Sequence, residues 1–535
     1  MTDTFARDHL PAKALWPEMR FTLPELQYPA RLNCANRLLD RHVREGRGAR
    51  RAVVAPGLEW SYDDLMKVSN RIAHVLTSDL GIVPGNRVLL RAANTPMLAA
   101  CWLAIMKAGA IAVSTMPLYR SGELRYMIEK AAVHHALCDA RLRVELTAAT
   151  SDMPGFTTVA FGDGAADGLE ARMASRDDAF TNADTSAEDV ALIAFTSGTT
   201  GKPKAAMHVH RDILATCDTF GRHVLKASSK DLFCGSPPLG FTYGLGGALL
   251  FPLDACASTL LLEKAGPEQL IQAVADFGVT TIFTAPIAYR AMTELAGTYD
   301  VSSLHTCVSA GETLPLPIWR AWNAKTGLRI IDGIGSTEML HIFISSPQDR
   351  IRPGSTGQVV PGYEAEVHDD DGERVAPNTV GRLAVKGPTG CRYLDDDRQS
   401  TYVRNGWNYP GDAYRMDEDG YFWYVARADD MIISAGYNIS GPEVEQALLG
   451  HAGVKECAVV SKPDPVHSTN IVKAYVVLAD GTLAGSHTGE ELQEFVRTQI
   501  APYKCPREIE FVAELPRTQT GKVQRFRLRE KAAHD

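Results

Sequence analysis

The strongest constraint in this chain is a repeated beat in which apolar runs of four to six residues alternate with helix-length amphipathic segments. Short apolar runs read as buried strands, and strand–helix alternation implies parallel sheets covered by helices. Val88-Leu89-Leu90 reads as a strand, Pro96 to Lys107 as a helix and Ala110 to Val113 as a strand. Glu123 to Ala132 follows as a helix and His135 to Cys138 as a strand. The beat returns with strand Val190 to Phe195, helix Gly266 to Phe277, strand Thr280 to Phe283 and helix Pro317 to Thr326. Two such blocks, roughly 50–180 and 185–335, predict two α/β layers within one large N-terminal part.

The texture changes after about residue 350. Gly, Pro and Asp become frequent, and alternating runs such as Arg382 to Lys386 predict antiparallel strands in a small β-rich subdomain. From about 430 the order is strand, helix (Pro442–Leu449), strand (Glu456–Val460), strand (Val472–Leu478), helix (Gly489–Ile500) and strand (Glu508–Phe511). That order predicts a small α+β domain. The expected class is α/β, with domains at 1–428 and 429–535, and 535 residues are too many for one core.

Composition narrows the function. A net charge of −9 argues against a nucleic-acid polymer as the main partner. The ten cysteines are scattered without a Cys-x-x-Cys pair, as in reduced thiols of a cytoplasmic protein. The N-terminus lacks the apolar core of a signal peptide. The most apolar stretch, Leu98 to Val113, contains Lys107 and Gly109 and is too short to span a bilayer. It reads as a buried helix running into a buried strand.

One loop carries chemistry. Thr196-Ser197-Gly198-Thr199-Thr200-Gly201-Lys202-Pro203-Lys204 follows the buried strand Val190 to Phe195. Glycines let backbone N–H groups turn toward an anion, hydroxyls donate to phosphate oxygens, and lysines add point charge. The loop is not a Walker A loop, because two residues rather than four separate its glycines and Pro203 follows Lys202. By itself it is a phosphate cradle.

Further along stand Ser309-Ala310-Gly311-Glu312-Thr313-Leu314-Pro315, Asp332-Gly333-Ile334-Gly335-Ser336-Thr337-Glu338, and Tyr409-Pro410-Gly411-Asp412 with Arg427-Ala428-Asp429-Asp430. Ser434-Ala435-Gly436-Tyr437 and Thr520-Gly521-Lys522 complete the series. Alone, each reads as a turn or a solvated charge. In this order they resemble the acyl-adenylate-forming superfamily; Ile334 with Met339 to Phe343 is similar to its benzoate-CoA ligase group, and the sequence as a whole resembles its 2-aminobenzoate-CoA ligases.

The resemblance implies roles. Thr196, Ser197, Gly198, Thr199, Thr200, Gly201, Lys202 and Lys204 would hold phosphates. Ala310, Gly311, Glu312, Asp332, Gly333 and Ile334 would receive adenine, while Asp412 and Arg427 would hold the ribose. Thr337 would contact phosphate, Glu338 would bind Mg²⁺, and Lys522 would be the catalytic lysine of a mobile C-terminal domain. Asp429 matches the hinge, and Gly436 the turn that admits the pantetheine arm. Thr242, Tyr243, Ala310, Gly335, His341 and Ile342 would line the acyl pocket, with Phe241 near the thiol path.

The implied substrates are a small aromatic acid, ATP and coenzyme A. A homodimer without membrane attachment is the expected assembly. Carboxylate has no good leaving group; an acyl-adenylate supplies one, and a thiol then displaces AMP. A hydroxyl at Thr242 points toward ortho-substituted benzoates, 2-aminobenzoate foremost. Benzoate itself, a carrier protein as the thiol, a fatty acid, and a non-catalytic nucleotide sensor are the competing readings.

Overall fold

The computed structural model describes residues 2–196, 203–427, 431–434, 437–464, 469–481, 484–500, 502–518 and 521–534. Two large sheets dominate the N-terminal part. The first has six strands in the order Thr157–Phe161, His135–Asp139, Arg87–Arg91, Ile111–Thr115, Val190–Phe195, Ala205–Val209. All its pairings are parallel except the last. The second has nine strands, and its middle runs Ile330–Gly335, Thr306–Ala310, Thr281–Thr284, Leu232–Gly235, Ser258–Leu260, all parallel.

The helix Pro96–Lys107 joins the core between these sheets. Thr95 caps it by accepting from the Leu98 N–H, and Pro96 fills the first position, where a missing N–H costs nothing. All but one of its residues are buried, so it reads apolar on every side. Its last residue, Lys107, is fully buried and forms an ion pair with Asp40. Burial lowers the lysine's pKa, and Asp40 opposes that shift.

The two sequence blocks do not map one to one onto the two sheets. The early hairpin Arg51–Ala55 and Leu58–Ser61 joins the second sheet, where Val53 pairs with Thr259. The later strands Val190–Phe195 and Ala205–Val209 join the first. Strand partners are chosen by tertiary packing, which periodicity does not encode.

Residues after 350 form the antiparallel strands Glu364–His368, Gly381–Lys386, Asp412–Met416 and Phe422–Arg427, as the texture predicted. Beyond them lies a three-stranded sheet of Val454–Asp464, Thr469–Leu478 and Glu508–Phe511 with helices Gly441–Leu449 and Ser486–Gln499. Two elements there were not foreseen. Tyr437–Ser440 pairs with Met431–Ser434, and a terminal helix spans Arg525–His534. That helix buries only Leu528 and Ala532, too thin a stripe to register as a pattern. Among the described residues no helix is long and apolar enough to cross a membrane.

Candidate active site

The site gathers where strands of both sheets end, the usual position for ligands in open parallel sheets. Thr196 follows Val190–Phe195, and Lys204 precedes Ala205–Val209. The Thr196 N–H donates to the Lys204 carbonyl (2.9 Å), and the Lys204 N–H donates to Thr196 Oγ1 (3.1 Å). These bonds close the base of the Thr196–Lys204 loop, the expected phosphate cradle; Ser197, Gly198, Thr199, Thr200, Gly201 and Lys202 lie outside the described residues.

In the second sheet, Ala310 ends one strand and Gly333 pairs beside it on the next. Gly311 then turns with φ +90°, a conformation glycine adopts freely. A Cβ there would lie 3.9 Å from Lys522 Cε. Asp332, on the strand Ile330–Gly335, has an unpartnered buried Oδ1, and burial lifts its carboxyl to about 8.

The chain next makes a one-turn 3₁₀ helix, Thr337–Met339, capped by Ser336. It exits through Leu340 at φ +70°, a strained value for leucine that surrounding contacts must enforce. Tyr402 OH lies 2.9 Å from Ser336 Oγ. His208 Nε2 lies 2.8 Å from the Thr337 carbonyl, and Thr389 Oγ1 donates to the Met339 carbonyl at 2.7 Å. The Tyr393 hydroxyl donates to the buried Glu338 carboxylate, and Lys204 Nζ stands 3.5 Å from the same oxygen.

Asp412 is also buried and pairs with Arg427 at 3.1 Å. Burial raises the Asp412 carboxyl; Arg427 and Lys522 pull the other way. Lys522 arrives from the C-terminal part on a tight turn. The Thr518 N–H donates to the Lys522 carbonyl (2.7 Å), the Lys522 N–H donates to Thr518 Oγ1 (3.1 Å), and Gly521 has φ +88°. Burial depresses the Lys522 ammonium, against the attraction of Glu312, Asp412 and Glu338. Burial raises the Glu312 carboxyl, against Arg517, Lys522 and Arg525.

Shortly after Glu338 in the chain, His341 enters a cluster of aromatic rings. Thr242, buried, opens the short helix Thr242–Leu245. The Tyr243 hydroxyl lies within donating distance of the carbonyls of Val308 (3.2 Å) and Thr284 (3.3 Å). His341 is 3% exposed and sits among Phe220, Tyr243, Phe251 and Phe283, with ring centroids 4.6–6.4 Å away. Neither of its ring nitrogens is in full hydrogen-bond geometry with a described residue; burial pushes its pKa down to about 3, opposed only in part by the nearby backbone of Tyr243. Gly246 makes room for it: a Cβ there would fall 2.3 Å from His341 Cδ2. Gly335 does the same from the other side, 2.6 Å from the His341 carbonyl. Ile342 packs against Gly333, while Phe241 packs outward against the first sheet's core.

Thus Thr196, Lys204 and Glu338 are linked by direct contacts, Glu312, Glu338, Asp412 and Arg427 act on Lys522 through charge, and Gly311, next to the Ala310–Gly333 pair, lies close to the Lys522 side chain; Asp332 and Ile334 lie on the strand that leads to Thr337. Asp429 and Gly436 lie outside the described residues. Sequence reasoning missed His208, Tyr393, Tyr402 and the ring wall of Phe220, Phe251 and Phe283. They stand 55 or more positions from the Ser336, Thr337, Glu338 and His341 groups they meet, and no local pattern marks them.

Residues 39–392 match the AMP-binding enzyme family, and residues 443–522 match the AMP-binding enzyme C-terminal domain. The chain belongs to the AMP-binding enzyme family. Within it the chain groups with the AMP-forming acid–CoA ligases and is similar to the aryl-CoA ligases. A benzoate-CoA ligase of Thauera aromatica is 33% identical over 95% of this chain and 98% of its own length. The anthranilate CoA ligase AuaEII, solved with anthranoyl-AMP, is 31% identical with a TM-score of 0.91, over 96% of this chain and 99% of that one. A benzoate CoA ligase from Burkholderia xenovorans LB400 is 31% identical with a TM-score of 0.85, covering 93% and 100%.

Proposed function

We propose that this protein converts a small aromatic acid, 2-aminobenzoate foremost, into its CoA thioester through an acyl-adenylate made from ATP. The observation that carries the reading is the adjacency of two features. A buried cluster of aromatic rings holds His341 with both ring nitrogens unpartnered, three residues after Glu338, whose charge acts on the buried Lys522. We read these rings as the wall of a pocket for one aromatic ring, which would suit a long acyl chain poorly. The similarity to an anthranilate CoA ligase supports the same substrate class.

In this reading the chain handles charge first. Carboxylate and α-phosphate repel, and Lys522, preorganised by the Thr518–Lys522 turn, offsets that repulsion as the acyl–phosphate bond forms. Thr337 and the phosphate loop hold the phosphates, Asp412 accepts from the ribose, and the Gly311 turn leaves room for a flat base. Among the described residues no three His, Cys, Asp or Glu side chains cluster as a metal site. The lone carboxylate Glu338 fits Mg²⁺, which takes one or two carboxylates together with phosphate oxygens. Bound there, the ion would neutralise phosphate charge.

Thioester formation then needs Lys522 withdrawn, so residues 429–535 act as a domain rotating about Asp429 against residues 1–428, bringing the Gly436 turn toward the thiol. All ten cysteines are free and buried, which supports a reducing, cytoplasmic setting. The test is a panel of aryl acids in a pyrophosphate-release assay, with and without CoA. Release with 2-aminobenzoate and CoA-dependent turnover are expected. A higher kcat/KM for benzoate than for every ortho-substituted analogue refutes the substrate. Turnover with a carrier protein but not with CoA refutes the thiol.

A further inference from the structure

The 3₁₀ turn bearing Thr337 and Glu338 is not self-supporting, since its exit residue Leu340 is strained at φ +70°. Such a conformation persists only where neighbours over-determine it. The neighbour that meets the turn's backbone at the reacting end is His208, whose Nε2 lies 2.8 Å from the Thr337 carbonyl. A carbonyl only accepts, so Nε2 carries the proton. The same carbonyl accepts the Leu340 N–H at 3.2 Å, so both of its lone pairs are used.

His208 is fully buried on the strand Ala205–Val209, which begins directly after Lys204. One rigid strand therefore carries both the end of the phosphate loop and the clamp on the Thr337–Glu338 turn. That strand is fixed in turn: Leu192 pairs with His208, and the Met207 N–H donates to the Arg392 carbonyl (2.8 Å). Behind the imidazole, Asp212 lies 3.8 Å from Nδ1 and pairs with buried Arg392. Burial would raise the Asp212 carboxyl, but Arg392 and His208 outweigh it and hold it ionised. Arg392 immediately precedes Tyr393, the donor to Glu338.

We infer that His208 is a positioning residue for adenylate formation: its Nε2–H fixes the Thr337 carbonyl and so keeps Thr337 and Glu338 in register with the phosphate loop. The inference rests on the acid-activating reading above. It involves no contact between His208 and substrate.

The test compares His208→Leu, which fills the space without a donor, with His208→Gln, whose side-chain N–H can reach the position of Nε2. Both half-reactions and the thermal midpoint are measured. His208→Leu is expected to lower kcat for adenylate formation about 10- to 100-fold, with KM for the acid little changed. Conversion of preformed acyl-adenylate to thioester should fall less than threefold, and His208→Gln should recover most of the lost rate. Equal rates in His208→Gln and His208→Leu overturn the inference. So does unchanged adenylation in His208→Leu, or an equal loss of both half-reactions alongside a collapsed thermal midpoint. Wild-type protein that releases no pyrophosphate with any aryl acid overturns the functional reading instead, a result the variants do not resemble.

Discussion

Replacing His341 by leucine exchanges a costly polar group for an apolar one of similar size. The imidazole is 3% exposed and its two nitrogens, one donor and one acceptor, lack partners among the described residues. A buried unsatisfied group costs about 1–3 kcal/mol, so His341→Leu should stabilise the ligand-free protein by about 2 kcal/mol. With an unfolding entropy of about 2.1 cal/mol/K per residue over 535 residues, that is a rise in Tm of about 2 °C. The gain should grow in acid. In the folded chain the imidazole titrates at about 3 because burial disfavours its charge, whereas unfolded histidine titrates near 6.5. Below 6.5 the unfolded state binds the extra proton, so this group removes about 1.4 kcal/mol of stability per pH unit as pH falls. His341→Leu abolishes that slope, and its Tm advantage over wild type should be larger at pH 5.5 than at pH 7.5. The same change removes a partner for the ring substituent, so kcat/KM for 2-aminobenzoate relative to benzoate should drop about 10-fold. Calorimetry at both pH values and the pyrophosphate-release panel read these effects. A lower Tm at both pH values, or an unchanged ratio of the two acids, refutes the reasoning.

Lys522→Ala should slow adenylate formation by about 100-fold or more yet still convert preformed acyl-adenylate to thioester; equal loss of both half-reactions removes the role given to Lys522. Gly246→Ala places a Cβ 2.3 Å from His341 Cδ2, so it should destabilise the protein by about 1–3 kcal/mol in denaturant melts and raise KM for every aryl acid. An unperturbed KM would mean the ring moves aside freely. Thr242→Val removes the hydroxyl of a residue that is 9% exposed, and should shift preference toward benzoate by about threefold to tenfold in kcat/KM. A shift toward 2-aminobenzoate would exclude Thr242 as the partner of the ortho substituent.

Much was determined by sequence alone. The helix Pro96–Lys107 and the strand Val190–Phe195 appear with the bounds their patterns predicted, because capping, proline placement and apolar run length are local properties. The ordered motifs marked the family for a related reason: glycines and charges that a nucleotide site needs cluster in short turns. Tertiary structure decided the rest. It alone sent the hairpin Arg51–Ala55 and Leu58–Ser61 to the second sheet and Ala205–Val209 to the first. It alone brought Tyr393 and His208 to the Thr337–Glu338 turn, across 55 and 129 positions of chain. It also showed His341 buried among rings with both nitrogens unpartnered. Such contacts depend on which surfaces meet when sheets pack, and that free energy is summed over the whole core rather than written in any one segment.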